Sequence, residues 1–236
     1  MKTEVAIIGA GSAGIAAMRR VQKSGRNFIL IDRGPLGTTC ARVGCMPSKA
    51  LIHVANNIYR SRFFQAGGIR GAQALECDLP AVLEHVRDLR DNFTLGMVKA
   101  TKKLAGDRLI IGDAYILGPN RIRVGEAIVE AQSIVIATGA SPIIPEPWRK
   151  FGDRVLTSAN IFEQKTLPDR IGVIGLGAIG LELGQALSRL GVDITAFSLV
   201  PTVGGLSDPE VNAAAVNAFG SEFPMQLGSA AEVKKE

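Results

Sequence analysis

Two stretches of the chain carry the same order of apolar and glycine positions. The short apolar run Val5 to Ile8 leads into Gly9-Ala-Gly-Ser-Ala-Gly14, and Gly172-Val-Ile leads in the same way into Gly175-Leu-Gly-Ala-Ile-Gly180. Each is followed by a helix-like stretch that Gly25 or Gly191 would stop, and then by a second apolar run, Phe28 to Ile31 or Ile194 to Phe197. Strands alternating with helices in this way imply parallel strands joined by right-handed crossovers, hence an open α/β sheet. The predicted fold class is therefore α/β, with two Rossmann-like dinucleotide-binding units.

Between the two echoes, Pro80 to Leu104 reads as a helix. Arg108 to Glu130 reads as short strands broken by Gly112, Gly118-Pro-Asn120 and Gly125, a β-meander inserted into the first unit. Gln132 to Pro142 reads as a buried strand ending in a tight turn, and the proline-rich stretch Pro142 to Pro147 as a linker. The expected division is residues 1–145 for the first unit and 146–236 for the second. From Pro201 onward more helix and a strand begin without closing the second sheet, so that unit is expected to be incomplete.

A length of 236 residues allows one large domain or two ordinary ones, and an apolar fraction of 47% is enough for a core. The run near Met1 is too short for a signal-peptide core or a membrane span, so cytoplasmic residence and no membrane association are expected. The net charge of +5 comes from Lys and Arg scattered through helical stretches, without a basic run or interleaved aromatics, and no nucleic-acid partner is expected. In a reducing compartment a close cysteine pair is catalytic or metal-binding more often than structural.

Gly9, Gly11 and Gly14 fit the dinucleotide roles, with Ser12 and Ala13 between them: a tight turn, close approach of backbone to a pyrophosphate, and close helix-to-strand packing. Asp32, 23 residues after Gly9, is placed to accept both ribose hydroxyls of an adenosine. In the second fingerprint, Gly175, Gly177 and Gly180, the equivalent position is Ser198. Neither an acid for NAD nor cations for the extra phosphate of NADP follow it, so the nicotinamide cofactor stays open between the two, as does weak or absent binding.

Cys40 and Cys45 lie on a glycine-containing stretch just after the first unit's second strand, four residues intervening. Pro47 is suited to the first turn of a helix, which would put Cys45 near its positive end, with Lys49 one turn further on; both favour a thiolate. Beside a flavin such a dithiol can relay two electrons to or from a substrate by thiol exchange. A zinc site using Cys40, Cys45, His53 and Cys77 remains an alternative that lacks paired CxxC spacing, as does a pair of unconnected buried cysteines. Cys77 itself reads as structural.

Taken in order, GxGxxG, Cys-x4-Cys-Met-Pro-Ser-Lys, Ile-Ala-Thr-Gly and a second GxGxxG followed by Leu-Glu resemble the pyridine nucleotide-disulfide oxidoreductases, and most of all the dihydrolipoyl dehydrogenases, over essentially the whole chain. The resemblance implies FAD in the first unit, NAD or NADP in the second, and a dithiol or disulfide substrate such as lipoamide. It implies that Cys40 exchanges with substrate and that Cys45 lies against the flavin as the charge-transfer thiolate. Lys49 would sit near the reactive edge of the flavin, paired with Glu182, and Ile179 would lie close to the nicotinamide. Further FAD contacts are implied at Ser12, Ala13, Arg33, Gly37, Thr38, Thr39, Thr138 and Gly139. Ala41 and Arg42 replace the Leu-Asn more usual between the cysteines. The family's later Gly-Asp flavin motif and its His-Glu-bearing dimerisation domain have no counterpart by Glu236, so the chain is expected to be the front part of a longer parent that forms a homodimer. An NADPH-dependent disulfide or mercuric reductase and a catalytically silent FAD-binding fragment are the competing expectations.

Overall fold

A computed structural model describes residues 1–234. In chain order its elements are β1 (Lys2–Ile8), α1 (Ser12–Lys23), β2 (Phe28–Asp32), α2 (Thr39–Arg42), α3 (Cys45–Ser61), α4 (Leu79–Ala105), β3 (Leu109–Ile111), β4 (Ala114–Gly118), β5 (Arg121–Val124), β6 (Ala127–Ile136), β7 (Arg170–Ile174), α5 (Ala178–Arg189), β8 (Asp193–Ser198), α6 (Pro209–Gly220) and β9 (Met225–Leu227). They fall into two compact units: Met1–Met46 with Leu89–Pro142, and Pro47–Asp88 with the chain from Ile143 onward.

The first unit is a six-stranded sheet in the order β3-β2-β1-β6-β5-β4. β1 pairs in parallel with β2, from Val5 opposite Phe28 to Ile8 opposite Ile31, and with β6 on its other side. Strands buried on both faces read as continuous apolar runs, and Val5 to Ile8 and Phe28 to Ile31 behave that way. Val5, Ile7, Phe28 and Leu30 join Ile15 and Met18 of α1 in one cluster, while Ala6, Ile8, Ile29 and Ile31 join Ile122, Val124 and Val129 in another.

The meander is not a separate insertion. β6 is a single strand of 10 residues. Its first part pairs antiparallel with β5 and its second part parallel with β1, so the expected strand at Gln132 is the continuation of the meander's last arm. β3 also leaves the expected meander, because Leu109 to Ile111 pair in parallel with β2.

The second unit holds a three-stranded parallel sheet, β7-β8-β9. α5 makes the first crossover. α6 makes the second, started by Pro209 and capped by Asp208, whose carboxylate accepts from the Glu210 and Val211 amides. Leu181, Leu183, Leu187, Ile194 and Phe223 form its core together with Leu51 and Ala55 of α3 and Leu83 and Val86 of α4. Residues 47–88 therefore belong with this core, and the chain does not divide at 145/146. Their apolar positions carry an ordinary helical period that gives no sign of which core they enter.

A bidentate ion pair crosses the edge of this core. Arg189 Nε and Nη2 donate to Glu222 Oε2 and Oε1 at 2.6 and 2.7 Å, with the side chains 15% and 12% exposed. Burial pushes the Glu222 carboxyl up, but hydrogen bonds from Arg189 and Gln185 and the positive charges of Arg189 and Arg62 outweigh it, so its pKa lies below the ordinary carboxylate value. A depressed carboxyl stabilises the fold above its unfolded pKa of about 4.3 and loses that contribution as pH falls through its folded value. Glu222→Ala is expected to lower the unfolding free energy by about 3–5 kcal/mol at pH 7. The gap to the parent chain should narrow at about pH 3 in denaturant titrations; an unchanged gap would contradict the assignment.

Candidate active site

Cys40 and Cys45 both lie in the first unit. The buried Thr38 caps α2, its Oγ1 accepting from Ala41 N–H at 3.1 Å, which places Cys40 in the first turn of that short helix. Cys45 is the first residue of α3. Between them the backbone folds back so tightly that a Cβ on Gly44 would lie 3.1 Å from the Thr39 carbonyl oxygen. The two cysteines are free thiols, Cys40 half-buried and Cys45 exposed. Their side chains are hydrogen-bonded to each other, and that bond, with burial and the charge of the second sulfur, raises the Cys40 pKa; the Cys45 and Met46 amides at the Cys40 sulfur act the other way. A pair in such contact is placed for disulfide formation.

A cleft of 400 Å³ opens beside Cys40, walled by Ile15 and Arg19 of α1 and by Phe93 and Met97 of α4. Nothing in the spacing of these residues marks them: they meet only because two helices distant in sequence pack on the same sheet. Phe93 itself is 42% exposed.

The first glycine turn is built on close contacts. A Cβ on Gly14 would lie 1.7 Å from the Gly9 carbonyl oxygen, and one on Gly9 would lie 2.2 Å from that of Ala137. Gly9 thus abuts the turn after β6 that carries Thr138 and Gly139, and both of those residues are exposed. Gly11 is different, since a Cβ there meets nothing within 4 Å. It precedes α1, a helix with neither a side-chain cap nor an acid in its first turn. Unsatisfied amides at a positive helix end, with room in front of them, fit a pyrophosphate. Asp32 accepts from Ala10 N–H at 2.6 Å and from Gly34 N–H at 2.7 Å, one bond on each oxygen. Each oxygen keeps a lone pair for a ribose hydroxyl. Ser12, Ala13 and Arg33 are exposed and Gly37 is half-buried; Thr39 is open to solvent, whereas the Thr38 hydroxyl is taken by the cap.

The second unit repeats the turn. A Cβ on Gly180 would lie 1.9 Å from the Gly175 carbonyl oxygen, Gly177 is free of contacts within 4 Å, and α5 starts as bare of caps and acids as α1. A cleft of 490 Å³ opens at this turn, lined by Ser198, Leu199 and Val200, by Pro145 from the stretch expected to be a linker, and by Trp148 just after it. The Ser198 hydroxyl accepts from Val200 N–H at 3.3 Å. Among the described residues no Lys, Arg, Asp or Glu lines the cleft.

Lys49 and Glu182, 133 residues apart in the chain, meet within this unit with Nζ 2.6 Å from Oε1. Ile179, 61% exposed, stands in the first turn of the same helix as Glu182. Among the described residues no group of three or more His, Cys, Asp or Glu side chains converges, so the zinc reading finds no cluster. His53 and His85 are exposed, and Cys77 packs against the second core. No helix of the described residues is long and apolar enough to cross a membrane.

Two open sheets, each with a glycine turn feeding an uncapped helix, one with a thiol pair beside it, define a dinucleotide-binding redox protein. The pattern of the pyridine nucleotide-disulphide oxidoreductases matches residues 3–232, and the chain belongs to that family. It is 32% identical over 214 residues to a dihydrolipoyl dehydrogenase of Pseudomonas aeruginosa, covering 86% of this chain and 45% of that protein. It is 32% identical over 213 residues to a mercuric reductase of Lysinibacillus sphaericus, covering 89% and 38%. Among solved structures, the Cu(II) complex of the HOCl-induced flavoprotein disulfide reductase RclA from Escherichia coli superposes with a TM-score of 0.80 at 21% identity, covering 98% of this chain and 50% of that one, which supports the fold. The chain thus spans no more than about half the length of these proteins.

Two outcomes test this geometry. Gly14→Ala should cost about 3 kcal/mol or more in unfolding free energy while Gly11→Ala costs about 1 kcal/mol or less; similar losses would show that the two glycines do not differ as described. In a Cys77→Ala background, Cys45→Ala should move the pH midpoint of iodoacetamide alkylation at Cys40 downward, because the largest cause of its raised pKa is removed. A midpoint that stays in place would show that the thiols do not interact.

Proposed function

We propose that the chain is the flavin- and nicotinamide-binding part of a dithiol-disulfide oxidoreductase, moving electrons between a dithiol such as dihydrolipoamide and NAD through FAD and the Cys40-Cys45 pair. The observation that carries this reading is the contact of the two thiols beside an apolar cleft, with an uncapped dinucleotide turn in the same unit.

In the oxidised pair, one thiolate of the substrate attacks Cys40, breaking the Cys40-Cys45 bond and leaving Cys45 as thiolate. The second substrate thiolate then attacks the substrate sulfur of the mixed disulfide, releasing oxidised substrate and the Cys40 thiolate, which takes up one of the two substrate protons while the other passes to solvent. Two electrons and two protons have left the substrate, and the pair holds the electrons. Bound FAD supplies the two-electron acceptor that connects the pair to the nicotinamide. Gly9, Gly11, Ser12, Ala13, Gly14, Asp32, Arg33, Gly37, Thr38, Thr39, Thr138 and Gly139 are the residues proposed to hold FAD. For Thr38 the backbone rather than the capped hydroxyl would serve. Gly175, Gly177, Ile179 and Gly180 are proposed for the nicotinamide dinucleotide, and Lys49 with Glu182 for the ground between flavin and nicotinamide.

NAD is favoured over NADP because among the described residues no cation lines the cleft at Ser198 to pair with an added phosphate. The FAD-loaded chain should be reduced by NADH roughly tenfold or more faster than by NADPH at equal concentration. Under anaerobic conditions one equivalent of dithiol should give a long-wavelength charge-transfer band that Cys45→Ser removes and Cys40→Ser leaves in place. A band that survives Cys45→Ser would reverse the two roles. A colourless chain that takes up no FAD would contradict the reading for this chain, whereas FAD uptake without a charge-transfer band would favour the silent FAD-binding fragment.

A further inference from the structure

α3 and α5 are joined twice in the second unit, with the same offset each time. Lys49 reaches Glu182 across 133 residues of chain, and Arg189 Nη1 donates to Asn56 Oδ1 at 2.5 Å across the same 133. Asn56 lies seven residues beyond Lys49, and Arg189 seven beyond Glu182. Seven residues are about two helical turns, so the two helices run in parallel with one register along facing stripes.

The two links differ in solvent exposure. The Lys49 and Glu182 side chains are 58% and 40% exposed, where an isolated ion pair holds little geometry by itself. Arg189, by contrast, is fully engaged: Glu222 takes Nε and Nη2, Asn56 takes Nη1, and the Tyr59 ring of α3 lies under the guanidinium at 4.0 Å. Gln185 and Ser188 of α5 hold Glu222 in turn, through its Oε1 and its carbonyl. A buried, multiply bonded guanidinium contributes little net stability relative to apolar packing, but it admits one register and penalises others.

We propose that Arg189 is a positioning residue: by clamping Asn56 and Tyr59 of α3 to α5 and to Glu222, it holds the register that brings Lys49 against Glu182. What the Lys49-Glu182 pair does chemically rests on the function proposed above; the clamp does not.

The test is the acetylation rate of Lys49 in the full chain without cofactors, followed by peptide mass spectrometry, with the exposed Lys165 as internal reference. An ion pair shields the amine, so Glu182→Gln should raise the Lys49 rate about two- to fivefold. Arg189→Lys, which keeps the charge but not the fork, should raise it to the same level, as should Asn56→Ala, which leaves Arg189 and Glu222 paired. Adding Asn56→Ala to Glu182→Gln should bring no further rise. A Lys49 rate at the parent level in Asn56→Ala, or a further rise in that double variant, would overturn the proposal. If Arg189→Lys unfolds, far-UV circular dichroism reports it and Asn56→Ala decides alone. Should the charge-transfer experiment fail while these rates behave as stated, the functional reading falls and the clamp stands.

Discussion

A helix can start directly over the end of a strand only where the two backbones can touch, and in this chain that constraint is met twice by the third glycine of a GxGxxG turn. At Gly14 and Gly180 any side chain would lie 1.7 or 1.9 Å from the carbonyl oxygen of the first glycine. The close contact aims the first amides of α1 and α5 past the strand end, and the contact-free Gly11 and Gly177 leave that space open. Everything proposed about dinucleotides depends on it. So does the position of Glu182, which is set by the start of α5.

The two halves then use the same turn differently. In the first, Asp32 is tied to two loop amides, which fixes the carboxylate at the strand end. In the second, the matching Ser198 is buried and bonded within its own loop, and among the described residues the cleft before it carries no charge. The first half also carries its chemistry close by, in two thiols brought together by a capped short helix and a glycine hairpin.

What could be read from the sequence follows the range of the interactions involved. The glycine turns, Asp32 and the cysteine pair are local: each needs only a dozen or so neighbouring residues of a strand, turn and helix, and all were readable. Lys49 and Glu182 were readable only through resemblance, since no local pattern joins residues 133 apart. The assignment of residues 47–88 to the second core was hidden because the apolar stripe of α3 suits any hydrophobic partner. The unity of β6 was hidden because Glu130 and Gln132 look like an interruption, whereas a strand that passes from one partner to another tolerates polar residues there. Arg189, a cation in the last turn of α5, carries no local signal of its role, because its three partners, Asn56, Tyr59 and Glu222, are distant in the chain.

The central claim is that the Cys40-Cys45 pair stores electrons in addition to those held by a bound flavin. Anaerobic reductive titration of the FAD-loaded chain, followed by absorbance, counts them directly. The account predicts uptake of about four electrons per flavin, falling to about two when both cysteines are replaced by serine. Uptake of about two electrons by the unaltered chain would contradict it.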